Sequence, residues 1–258
     1  MNIQVLGGHG GKAQGFETTS FLIDSKLLID AGGVAGTLSI EEQKKIDHIL
    51  ITHTHLDHIK DLAFICDNCF GLRTSPFEVF THATVHRSIK NHLLNDVIWP
   101  DFTKLPSAER PTIRFTEITP EKVFKVAGYE ITPVKVKHAL DAMGYIVNDG
   151  KVAVLFSGDT GPTDRIWEIA RQVKNLKAIF TEVSFPNFLQ QVADASEHHT
   201  ANTMKAELVK MPKDVPVILT HLKPNYQKQV FQEIKSLGDS RIHVLERDGE
   251  LFSYTDAV

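Results

Sequence analysis

The run His53-Thr54-His55-Leu56-Asp57-His58 places three imidazoles and one carboxylate within six positions, directly behind the apolar Ile49-Leu50-Ile51. The apolar residues read as a buried strand and Ile59 onward as a helix. The cluster therefore stands at the carboxyl end of a strand, where open α/β folds carry their chemistry. Alternate residues of an extended segment point the same way, so His53 and His55 can share one metal ion. Asp57 and His58 lie past the turn and can face a second. Neutral imidazole and carboxylate suit zinc, with manganese or iron as further candidates. A polar surface loop would not concentrate these four side chains immediately behind a hydrophobic strand.

Further donors follow other apolar runs. His138 comes after Ile131–Lys137, Asp159 after Val152–Phe156, and His221 after Val215–Thr220. One such residue is more often a satisfied core or loop group than a ligand. Four strand ends carrying them in one chain is a stronger coincidence. Five His and two Asp complete a site for two divalent ions, and Asp159 can bridge because a carboxylate has two oxygens.

This pattern resembles the metallo-β-lactamase superfamily over nearly the whole chain: an HxHxDH motif, then His, Asp and His in the same order. The resemblance implies an α/β fold, a four-layer αβ/βα sandwich of two mixed sheets with helices outside. It also implies one ion held by His53, His55 and His138, another by Asp57, His58 and His221, and Asp159 between them. Asp30, at the end of a strand pair turning around Ser25, then supports the ligands rather than joining them.

Size and composition agree with one domain over residues 1–258. Hydrophobic residues are 42% and charged residues 23%, an ordinary globular profile. The net charge of −4 provides no overall pull toward nucleic acid or an anionic membrane, and weighs against a nucleic-acid partner. No stretch approaches a membrane span and no targeting segment is visible, so a cytoplasmic location is expected. Cys66 and Cys69 read as two thiols one turn apart on a helix, since neither a second ligand pair nor a thioredoxin-type context accompanies them. His9 and His86 read as bystanders. Along the chain, Ser39 and Glu42 form a capping box, Ile59–Phe70 and Thr84–Leu94 read as helices, and residues 100–122 as a proline-rich loop carrying one strand. Tyr145–Phe156 reads as a hairpin, and Thr163–Val173, Thr200–Lys210 and Lys228–Leu237 as helices. No repeat or linker divides the chain.

Three segments narrow the chemistry. Asn91–Phe102, with its Trp99-Pro100 pair, Thr181–Asn187, and the motif with Leu56 inside it are similar to class II 3′,5′-cyclic-nucleotide phosphodiesterases. Asp61 and the Glu197-His198-His199-Thr200 segment depart from that pattern. The resemblance implies hydrolysis of cAMP or cGMP to the 5′-monophosphate by a hydroxide between two metals. Asp57, Glu182 and His198 are then the catalytic residues, with His198, oriented by Glu182, giving the leaving oxygen its proton. His199 is the rival donor. Trp99, Phe102 or Phe185 could stack on the base. A Glu with a His-x-Thr segment also occurs in tRNA 3′-end processing endonucleases of the superfamily, the alternative reading. A lactonase or thioesterase would leave the Glu–His pair without a use, and a non-enzymatic relic would have lost ligands. The superfamily also suggests a homodimer.

Overall fold

The structure, a computed structural model, describes residues 1–256. Six strands come first: β1 (Asn2–Gly7), β2 (Ser20–Ile23), β3 (Leu27–Ile29), β4 (His48–Leu50), β5 (Phe77–His82) and β6 (Ile113–Ile118). Seven follow in the second half: β7 (Phe124–Val126), β8 (Tyr129–Val136), β9 (Ala142–Asn148), β10 (Ala153–Phe156), β11 (Leu176–Glu182), β12 (Val217–Thr220) and β13 (Ile242–Val244). The last, β14 (Leu251–Ser253), returns to pair with β1, giving two seven-stranded sheets. Apart from β14, the strands of each sheet lie side by side in chain order. Three antiparallel pairings are followed by three parallel ones, so the halves repeat one topology.

Parallel neighbours need a crossover, and helices supply it. On the first sheet these are α1 (Ile40–Gln43), α2 (Leu56–Asn68) and α3 (Ala83–His92). On the second they are α4 (Arg165–Ala170), α5 (Gln190–Ser196), α6 (Ala201–Lys210) and α7 (Gln227–Lys235). The inner faces meet in one apolar layer, with Ile3, Phe21, Ile29 and Leu50 against Tyr145, Val154, Phe156 and Phe180. Phe21 packs on Phe156 and Phe180 at 5.2 and 5.4 Å between ring centres. The outer faces pack on helices, Ile49 and Val79 on Leu62 and Ile89, and Leu155 and Ile179 on Trp167 and Met204. Each such fully buried side chain contributes roughly 1.5–3 kcal/mol. The expected four-layer αβ/βα sandwich is thus present.

Local chemistry explains most boundaries. Asp24 and Ser25 take φ of 46° and 59° in the three-residue turn between the paired Ile23 and Leu27, positions where Asp and a small residue tolerate left-handed backbone. Ser39 and Glu42 do form the capping box. Two features differ from the sequence reading. Helix α2 starts at Leu56, inside the motif, because the extended segment 51–55 turns at His55, its N-cap. Asp57 and His58 thereby ride on the first helical turn. Residues 190–196 form α5, which carries no strong apolar periodicity and went unforeseen. Among the described residues no helix is long and apolar enough to cross a membrane.

Candidate metal centre

The strand directions decide where the polar side chains meet. β4, β8, β10, β11 and β12 all end at one edge of the sandwich, and each delivers a residue of the predicted set just beyond or at its last position. The first turn of α2 can press onto this edge because residue 32 is glycine. A Cβ there would lie 1.9 Å from the Asp57 carbonyl oxygen. Gly10 does the same for His221, whose ring and backbone would stand 2.6–2.7 Å from an added Cβ. Asp30 and His221 adopt left-handed backbone, φ 57° and 63°, a conformation held only where surroundings over-determine it.

The seven predicted donors converge. His53, His55, His138 and Asp159 form one group whose donor atoms lie within 4.8 Å of one another, and Asp57, His58 and His221 form another. His55 Nδ1 is 3.1 Å from both His53 Nε2 and His138 Nε2. Asp159 Oδ2 is 3.2 Å from His58 Nε2, 3.2 Å from His221 Nε2 and 3.7 Å from His53 Nε2. Asp57 Oδ2 is 3.3 Å from His221 Nε2.

The far side of the rings shows which nitrogens carry hydrogen. Asp30 is buried and accepts from the Thr52 backbone and hydroxyl, both at 2.8 Å, and from His58 Nδ1 at 2.7 Å. The Thr52 hydroxyl, having given its hydrogen to Asp30, accepts from His53 Nδ1 at 3.0 Å. His138 Nδ1 donates to the Glu197 carbonyl at 3.2 Å, and His221 Nδ1 to Ser184 Oγ at 2.8 Å. Four Nε2 lone pairs are therefore turned inward. Asp159 Oδ2, buried with them, has no hydrogen-bond partner among the described residues. Lone pairs facing lone pairs in a dry space are costly unless a cation lies between them, so this nitrogen and carboxylate set fits two divalent ions. Without ions, Asp159 and Asp30 favour a proton on His58 instead. Burial opposes charge on His58, yet Asp159 and Asp30 hold its pKa well above the ordinary value. Burial likewise pushes Asp159 up, but His221 and His58 hold it well below the usual carboxylate range.

Beside the cluster stands a second arrangement. Glu182, at the end of β11, accepts from His198 Nδ1 at 2.6 Å and from Ser184 Oγ at 2.8 Å, and is buried. The His198 ring lies 5.0 Å from that of His138 and 5.4 Å from that of His221. Burial disfavours its charge, but Glu182 prevails and pushes the pKa up to about 9. His199, the rival donor, is instead fully buried under α6 with Nδ1 on Thr203 at 3.0 Å, and burial lowers its pKa.

The other sequence candidates fall elsewhere. Phe102 is core, packed on Phe70, and Trp99 leans on Phe64 of α2. Only Phe185 among the three proposed aromatics stands beside the site, 5.8 Å from the His198 ring. Asp61 ties α2 to the Ala35 amide at 2.7 Å, which accounts for that departure structurally. His9 is buried against Asp248, His86 stacks on Phe115, and Cys66 and Cys69 are free thiols buried in the outer core. Thr52 and Ser184 were missed, since a hydroxyl linking an acid to an imidazole has no spacing signal.

Residues 26–222 match the model of the beta-lactamase superfamily domain. The chain belongs to the metallo-β-lactamase superfamily. Within it, the sequence is 25% identical over 300 residues to 3′,5′-cyclic-nucleotide phosphodiesterase 1 of Saccharomyces cerevisiae, covering 92% of this chain and 80% of that one. It is 24% identical over 236 residues to ribonuclease Z of Methanococcus maripaludis, covering 71% and 73%. Against the octanoyltransferase of Porphyromonas gingivalis, 25% identity over 188 residues covers 72% of this chain but spans only 34% of that protein's length. Among solved structures, unliganded yeast PDE1 superposes with a TM-score of 0.82 at 19% identity, over 95% of this chain and 97% of that one. The ribonuclease relatives, with human tRNase Z, short form, among the similar folds at a TM-score of 0.71, overturn the expectation against a nucleic-acid partner. The reason is physical: net charge sums the whole surface, whereas phosphate contacts depend on local cations.

Proposed function

We propose that this metal-dependent hydrolase cleaves phosphate diesters. The observation that carries the reading is His198, held by buried Glu182 at 2.6 Å beside the metal-binding set. An alkoxide is a poor leaving group and needs a proton, whereas a thiolate leaves without one. In this reading His53, His55 and His138 hold one ion and Asp57, His58 and His221 the other, with Asp159 between them. Zinc suits these donors best, with manganese or iron as alternatives. Two divalent ions, when bound, supply an activated water near neutral pH and positive charge against the phosphoryl oxygens.

The chain's own residues do the rest. Glu182 takes the Nδ1 hydrogen of His198, which leaves Nε2 to carry the proton for the departing O3′. The raised pKa keeps that proton in place at neutral pH. Nearby cations would lower it toward the range where donation is efficient. Phe185 offers a ring beside the site for a base.

Two substrates meet these demands. The similarity to the yeast phosphodiesterase over most of both chains supports 3′,5′-cAMP or cGMP, cleaved to the 5′-monophosphate. The ribonuclease relatives, from Methanococcus maripaludis and from Enterobacter, support an RNA 3′ end, where the same proton delivery would serve. Zinc-loaded protein incubated in parallel with 3′,5′-cAMP, 3′,5′-cGMP and a tRNA carrying a 3′ trailer separates them. Release of 5′-AMP or 5′-GMP supports the first, a trimmed tRNA the second. Protein holding two ions per chain that cleaves none of the three would remove both.

A further inference from the structure

Ser184 joins two parts of the site that otherwise belong to different strands. Its hydroxyl lies 2.8 Å from Glu182 Oε2, 2.8 Å from His221 Nδ1 and 3.2 Å from His198 Nδ1. A hydroxyl has one hydrogen and two lone pairs. Glu182 takes the hydrogen, since a carboxylate can only accept. The Nδ1 hydrogen of His198 goes to the nearer Glu182 Oε1. Ser184 is thus left to accept from His221, which fixes that ring with Nε2 bare and turned toward Asp57 and Asp159.

The backbone holds the hydroxyl in place. The Ser184 amide donates to the His199 carbonyl at 3.0 Å, its carbonyl accepts from Lys223, and the residue is fully buried. The rings it separates are nearly parallel, at 17°. The first sheet repeats the device, with Thr52 standing between Asp30 and His53. There the carboxylate's directly held imidazole is a metal-facing ring. In the second sheet it is the proton donor, so one hydroxyl touches both chemistries.

We infer that Ser184 is a positioning residue that couples the proton donor to the metal centre, setting the tautomer of His221 while completing the hydrogen bonds of the carboxylate that orients His198. The coupling to catalysis rests on the phosphodiester reading. The tautomer and metal parts do not.

The test uses Ser184→Ala and Ser184→Thr in the full chain, with the thermal melt of each followed by circular dichroism. Zinc binding is measured by titration calorimetry, and the His221 ring by long-range proton–nitrogen NMR. Ser184→Ala should weaken one of two zinc sites by roughly 10–100-fold, leave the other unchanged, and remove the single Nδ1–H form of His221. Turnover of a diester with an alkoxide leaving group should fall more than that of bis(p-nitrophenyl) phosphate. Recovery of the zinc affinity and the ring signal in Ser184→Thr would assign the effect to the hydroxyl. A folded Ser184→Ala protein with both zinc affinities and the wild-type His221 signal would overturn the inference. Wild-type protein that cleaves no diester would count against the phosphodiester reading, while zinc binding and the ring spectrum still decide the role of Ser184.

Discussion

Replacing Asp30 by Asn should weaken the binding of one metal ion while leaving the fold intact. The residue has φ of 57°, a left-handed conformation that Asn tolerates, so the backbone cost is small. The side chains are the same size. What changes is the hydrogen bonding. Asp30 accepts three bonds, from the Thr52 amide, the Thr52 hydroxyl and His58 Nδ1. An amide oxygen on Oδ1 still serves the Thr52 amide. The new NH2 then faces two former donors. The Thr52 hydroxyl can rotate, but His58 must take the other tautomer and accept at Nδ1. Its hydrogen then moves to Nε2, the atom turned toward Asp159 and His221. Losing a supporting carboxylate of this kind costs about 10–100-fold in metal affinity, or ~1.4–2.7 kcal/mol. Zinc titration of the stripped protein should show one weakened site of two, and a denaturant melt should show a native transition. Two sites of wild-type affinity in folded Asp30→Asn protein would refute the tautomer argument.

Other outcomes follow from the same geometry. Asp159→Ala should lower retention of both ions together, measured as metal per chain after dialysis, because its carboxylate faces donors of both groups. His198→Ala should keep two ions per chain yet slow diesters with alkoxide leaving groups by about 10²–10⁴-fold. Bis(p-nitrophenyl) phosphate should be nearly spared, and equal losses on both would sink the donor assignment. In metal-free protein, the raised His198 pKa means its charge stabilises fully below the ordinary 6.5 and that stability is lost as pH rises through about 9. Denaturation of His198→Gln against wild type should show the difference shrinking across that window, and a flat difference would deny the shift. Gly32→Ala, which forces a Cβ against the Asp57 carbonyl, should destabilise by roughly 1–3 kcal/mol and weaken metal binding at the proposed Asp57–His58 site.

Ordered periodicity made most of the fold readable. The hairpin around Ser25, the helices after the motif and the alternation of β8 all follow from local rules that the tertiary structure did not override. Helix α2 began earlier than its apolar pattern, because Leu56 is exposed and adds no periodic signal, while His55 caps without a side-chain bond. Phe102 looked available as a stacking ring and proved to be core, since an aromatic in a proline-rich loop carries no mark of which side it faces. A net charge of −4 does not exclude a nucleic-acid partner, because a summed charge is blind to where the cations lie.

The sequence by itself determined the set of candidate metal-ligating side chains, their place at strand ends and the architecture that carries them. Residue type and spacing suffice there, because each strand delivers its own donor locally. The tertiary structure decided which imidazole nitrogen faces inward, that His198 rather than His199 meets Glu182, and that Thr52 and Ser184 mediate. Those depend on contacts between elements far apart in the chain, Asp30 with His58 and Glu182 with His198. No local pattern encodes such contacts: each forms within one half of the fold, between a strand end and a helical crossover, and only the face-to-face packing of the two sheets then sets His53 and His58 beside Asp159 and Asp57 beside His221.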